Sequence, residues 1–71
     1  MPQVITIIIH RKHSIFGWSE YISYDKVDGE YECTYYGVDT ACGTVEAANM
    51  KAFVRDNFSD KETYRVEIHA V

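Results

Sequence analysis

The sequence predicts an α+β fold, a small single layer of β-strands with one helix packed on one face, and three observations support this. Val4-Ile5-Thr6-Ile7-Ile8-Ile9 is a β-branched run with the composition of a strand. Glu30-Tyr31-Glu32-Cys33-Thr34-Tyr35 alternates polar and apolar residues, the period-two pattern of a strand with one face buried. Ala47, Met50, Val54 and Phe58 recur at spacings of three, four and four, which gathers them into one apolar stripe of a helix.

The elements follow in chain order. Strand one is expected over residues 3–10, followed by the loop Arg11-Lys12-His13-Ser14-Ile15-Phe16-Gly17. Strand two runs from about Trp18 to Tyr24, and Asp28-Gly29 before a further β-rich run signals a hairpin. Strand three spans Glu30 to Tyr36, and Gly37 to Gly43 reads as a turn region. Thr44 is placed as a helix N-cap with Glu46 in the first turn, where the helix dipole favours a negative charge. The helix extends to about Phe58, Ser59-Asp60-Lys61-Glu62 breaks it, and residues 63–71 form the last strand.

The resulting order is β-β-β-α-β. Two hairpins make the first three strands antiparallel, and a right-handed helical crossover is expected to return strand four parallel to strand three. Strand four then lies beside strand one, giving a mainly antiparallel four-stranded sheet of order 4-1-2-3. Residues 1–71 read as one compact domain, which buries about 60% of the surface its unfolded chain would expose. No internal repeat or low-complexity segment is visible.

Strand one is apolar on both faces, yet only one helix is available to cover it. A strand of this kind normally belongs to a sheet covered on both sides. If the helix rests on Ile5, Ile7 and Ile9, the open face shows Val4, Thr6, Ile8 and His10 with Arg65, Glu67 and His69 of the last strand. Val4, Thr6, Ile8, Arg65 and Glu67 are therefore the expected face for a second copy of the chain.

Charge is unevenly spread. The net charge is −4, and between Glu20 and Glu46 seven acids stand against Lys26 alone. Six tyrosines are present, and each phenol needs water or a hydrogen-bond partner. An acidic, tyrosine-rich hairpin suits a partner with a basic surface. The residues expected to meet it are Glu20, Tyr24, Asp25, Asp28, Glu30, Glu32 and Tyr36. Direct nucleic-acid binding is disfavoured, because phosphate contacts depend on Lys and Arg and only Arg11-Lys12 forms a local basic cluster.

Chemistry has few candidates. His10, His13 and His69 are the candidate metal ligands, with solvent-facing imidazoles the expected outcome, and no cofactor is implied. Cys33 and Cys42 match no zinc or redox spacing, and two free thiols are expected in a reducing cytoplasm. No apolar stretch approaches the roughly 20 residues of a membrane span, and Met1-Pro2-Gln3 lacks the basic start of a signal peptide. No membrane partner is expected. Nucleophile elbows, phosphate-cradling glycine loops and paired catalytic carboxylates are all missing from the pattern, so an enzyme is not expected; a small histidine- or metal-dependent one is the remaining alternative.

In size, acidity and one-helix-on-a-sheet layout the chain is similar in type to small phage-encoded inhibitors of host machinery, including anti-CRISPR proteins. No residue motif carries the likeness. The expected function is an acidic protein-interaction module, an inhibitor of nucleic-acid-handling machinery that binds a basic protein surface. The alternative is a homodimeric structural or regulatory domain joined through the open sheet face.

Overall fold

A computed structural model describes residues 3–38 and 40–71; readings that involve Met1, Pro2 or Asp39 lie outside the described residues. Five strands form one sheet: β1 (Val4–His13), β2 (Gly17–Val27), β3 (Glu30–Tyr35), β4 (Thr40–Glu46) and β5 (Tyr64–Ala70). A single 3-10 turn, Ala47–Asn49, leads into the helix α1 (Met50–Asn57). The sheet order is β4-β3-β2-β1-β5, and every neighbouring pair is antiparallel.

The four-stranded expectation is corrected at one place. Residues 40–46 form a strand and not the start of the helix, because Thr44 and Val45 pair opposite Glu32 and Tyr31 at the edge of β3. Thr44 is therefore a ladder residue, and the helix starts at Met50 with Asn49 before it. The added strand reverses the chain once more, so β5 returns antiparallel to β1, where a parallel strand was expected. The first hairpin is also longer than expected, pairing as far as His13 opposite Gly17. At the second turn, Asp28 and Gly29 take positive φ values of 49° and 82°, as a two-residue hairpin turn requires.

Three bulges redirect side chains. On β1 the register with β5 passes from Val4 to Thr6, so Ile5 is the extra residue. On β2 Ile9 faces Ile22 while His10 faces Glu20, leaving Tyr21 unmatched. On β4 Gly43 opposes Cys33 and Ala41 opposes Thr34, so Cys42 is the extra residue. Each insertion shifts the alternation by one residue. Val4, Tyr21 and Cys42 consequently pack against the core.

The core lies between the sheet and α1. Ile7, Ile9, Ile22, Tyr24, Tyr31, Cys33 and Met50 are buried, and Phe53 and Val54 of the helix, with Phe58 just after it, pack around them. Tyr31 satisfies its phenol by donating to the Val4 carbonyl at 3.0 Å, which ties β3 to the bulged start of β1. Aromatic rings continue across the layer boundary: Tyr24 meets Phe53 edge-on at 5.9 Å, and Phe58 meets Tyr64 at 5.1 Å. Arg11 lies over Tyr21 at 5.2 Å.

The cysteines overturn the expectation of free thiols. Cys33 and Cys42 form a disulfide between β3 and β4 with Cα atoms 5.3 Å apart, within the span such a bond needs. The β4 bulge brings this about, because it turns Cys42 toward its neighbour across the strand pair.

Two outcomes follow for stability. Ile9→Ala in the core is expected to lower unfolding free energy by about 3 kcal/mol, whereas Ile15→Ala in the exposed β1–β2 turn should change it by less than about 0.5 kcal/mol. Equal losses in urea titrations would contradict this core assignment. Reduction of Cys33–Cys42 should cost about 2.5 kcal/mol by relaxing the unfolded-state constraint, while leaving the far-ultraviolet circular dichroism of a folded sheet. Mass spectrometry after alkylation with and without reductant checks the bond itself.

Candidate functional site

The sheet face away from α1 is mostly polar. Thr6, Ile8 and His10 of β1 lie on it, but Val4 packs on the other side with the core. Thr6 donates to the Asp25 carboxylate at 3.0 Å, and Ile8 is a half-buried aliphatic between Ser23 and Glu67. The apolar open face anticipated from strand one is therefore not assembled, because the Ile5 bulge moves Val4 across the sheet.

One half of this face concentrates carboxylates. Asp25 stands directly opposite Glu32 across β2 and β3, and Glu30 directly opposite Glu46 across β3 and β4. Directly opposed like charges destabilise a sheet. Among the described residues no Lys, Arg or His forms an ion pair with these four acids. Lys26 pairs opposite Tyr31, which puts it on the helix side and away from them.

The expected partner-binding residues separate into groups. Asp25, Glu30 and Glu32 come together as anticipated, and Glu46 joins them. The sequence places that acid in a helix start, and the added strand relocates it opposite Glu30. Asp28 sits at the hairpin tip. Glu20 lies opposite His10, apart from the cluster. Tyr24 is 2% exposed and belongs to the core. Tyr36 is exposed and flanks Ser23, Asp25 and Thr34 on the open face. Tyr21, Tyr31 and Tyr35 pack with the core, so the acid face is not rich in tyrosine.

The three histidines do not converge on one point, although two of them meet at Glu67. His10 contacts Glu67 at 3.3 Å and His69 contacts the same carboxylate. His69 in turn lies opposite Thr6, because β5 is antiparallel. His13 lies at the opposite end of β1, against Phe16. Among the described residues no group of three His, Cys, Asp or Glu is arranged to hold a metal ion. The His69 ring, with His10 beside it, holds the Glu67 carboxyl below its ordinary range. The Thr63 hydroxyl, followed by the Glu62 N–H, does the same for Asp60 in the turn before β5.

Two grooves flank the helix. Five strands about 4.8 Å apart place the outer strand axes about 19 Å apart, and a helix with its side chains is only about 10–12 Å across. On one side an aromatic cleft of about 380 Å³ is lined by Tyr21, Tyr35, Phe53, Phe58 and the disulfide residues. On the other side an apolar groove of about 340 Å³ runs between Met50 and Val54 of α1 and Val66 and Ile68 of β5. A third exposed feature was not anticipated as a site: Ile15 and Phe16 at the β1–β2 tip are 81% and 80% exposed. Its signal in the sequence is two large apolar residues placed within a turn.

No helix among the described residues is long and apolar enough to cross a membrane. Compared with protein-family models, curated proteins and solved structures, the chain finds no match.

Burial, reinforced by Tyr35 and Tyr21, pushes the Tyr24 phenol up from 10.0 to about 12. Its neutral form is favoured in the folded chain, so this contribution to stability is full below pH 10 and lost as pH rises from 10 toward 12. In an ultraviolet tyrosinate titration Tyr24 should ionise last, and Tyr24→Phe should remove that step. An unchanged final step in the variant would place the phenol elsewhere.

Proposed function

We propose that this chain is a small acidic protein-interaction module that docks on a basic protein surface through the carboxylates Asp25, Glu30, Glu32 and Glu46. The observation that carries the reading is the pair of directly opposed acids, Asp25 with Glu32 and Glu30 with Glu46, with no base within ion-pair distance among the described residues. A partner that supplies Lys and Arg relieves this repulsion, and the surrounding field speeds encounter. The same carboxylates repel phosphate, so the surface suits a protein that itself grips nucleic acid and not the nucleic acid directly. This is the surface an inhibitor of nucleic-acid-handling machinery, of the anti-defence or anti-CRISPR type, would present.

Such an inhibitor works in a reducing cytoplasm, where disulfides seldom persist. The reading therefore requires that the acid face keep its shape when Cys33 and Cys42 are reduced. β3 and β4 remain joined by their backbone ladder on both sides of the bulge, which supports that requirement.

A lysine-rich peptide titrated into the reduced protein should shift the amide resonances of Asp25, Glu30, Glu32 and Glu46 first. Glu30→Lys with Glu32→Lys should weaken binding by about 2 kcal/mol or more at low salt, with the melting transition retained. A basic protein captured from a cell extract by the wild-type chain should be lost by the double variant. Equal capture by both chains would remove the acid face from the argument.

A further inference from the structure

We infer that the free edge of β5 is a self-pairing surface, through which two copies of this chain join their sheets antiparallel about Val66. The two edges of the sheet differ. β4 is interrupted by the bulge at Cys42, carries Gly43 at φ 112°, and passes directly into the 3-10 turn before α1. β5 runs from Tyr64 to Ala70 with no bulge or proline in its own strand. Long, regular, uncovered edges are the ones that recruit another strand.

The hydrogen-bonding parity of this edge is set by its two ends. Lys12 N–H donates to the Thr63 carbonyl at 2.8 Å, and Val71 exchanges both backbone bonds with Gln3 at 2.9 Å. Thr63 and Val71 thus face β1, as do Arg65, Glu67 and His69 between them. Tyr64, Val66 and Ile68 direct their N–H and C=O groups outward.

Only even-numbered residues can then form the hydrogen-bonded pairs of a β5–β5 ladder, and odd-numbered residues face one another in the non-hydrogen-bonded pairs between them. The register centred on Val66 sets Tyr64 against Ile68 of the second copy and Val66 against itself. Arg65 lies opposite Glu67 of the copy, and Glu67 opposite its Arg65. Two opposite-charge pairs and two aromatic–aliphatic pairs result from one strand sequence, each of a kind that stabilises cross-strand neighbours. Arg65 is available for this: it lies over Trp18 at 4.1 Å, and among the described residues it has no carboxylate partner. Val66 and Ile68 are 39% and 59% exposed, so α1 does not overhang the edge. Their side chains continue the floor of the apolar groove toward the second copy. This surface shares no residue with the carboxylate face and stands or falls apart from it.

Sedimentation equilibrium from about 10 μM to about 1 mM, the weak to moderate range of protein association, should show the mass rising from one chain to two. Val66→Pro removes an outward donor and leaves the β1 ladder intact, so it should keep the fold and abolish the dimer. Arg65→Glu alone and Glu67→Arg alone each set like charges opposite, and each should weaken the dimer about tenfold or more. Mixing these two variants restores both charge pairs in a heterodimer and should recover the wild-type mass. A wild-type chain that stays monomeric at the highest concentration overturns the proposal. So does a dimer that is indifferent to Val66→Pro, or a mixture of the charge variants that fails to associate.

Discussion

A helix about 10–12 Å wide must cover a sheet of five strands, and the arrangement of the molecule follows from that mismatch. α1 and the Phe58 that follows it seat Met50, Phe53, Val54 and Phe58 over the sheet, where Ile9, Tyr24 and Tyr31 are the most deeply buried strand residues. Nothing of comparable width is left for the flanks. The two grooves beside the helix, the uncovered side chains of Val66 and Ile68, and the bare edge of β5 are consequences of one short lid on a broad layer.

The bulges answer the opposite problem, too much apolar surface in one strand. Strict alternation in β1 would put Val4, Thr6 and Ile8 in water together. One inserted residue at Ile5 transfers Val4 to the core, where its carbonyl receives the Tyr31 phenol. The open face that remains carries Thr6, Asp25, His10 and Glu67, so the sheet no longer needs an apolar cover there. The same device at Cys42 places a thiol where a strictly alternating β4 would direct it away from Cys33.

How much of this was legible in the chain depended on whether the signal was local. The Asp28-Gly29 turn, the alternation of β3 and the Met50–Val54–Phe58 stripe each rest on neighbouring residues, and each stands where the sequence placed it. The alternation of β3 even contained the separation of tyrosines from acids, since Tyr31 and Tyr35 cannot share a face with Glu30 and Glu32. Residues 40–46 were misread because Thr44 and Glu46 carry helix-start chemistry, while their strand pairing depends on partners ten or more residues away. Bulges have no comparable signature, so strict alternation puts Val4 on the open face, whereas the Ile5 bulge carries it to the core. The reversal of β5 followed from the missed strand, and with it the place of His69 relative to His10.

The acid face and the β5 edge rest on different physics, and their combination has a geometrical consequence. Carboxylate docking is long-ranged and weakened by salt, whereas edge pairing depends on backbone hydrogen bonds and register. Joined through β5, the two copies keep their acid faces on the same side of one continuous sheet, seven strand spacings apart from β3 to β3. Strand-to-strand twist of roughly −20 to −25° accumulates over that distance to about 150°, so the two faces look in nearly opposite directions. A dimer of this shape cannot lay both acid faces on one flat basic surface. If both proposals hold, such a dimer would suit two basic partner molecules, one at each end.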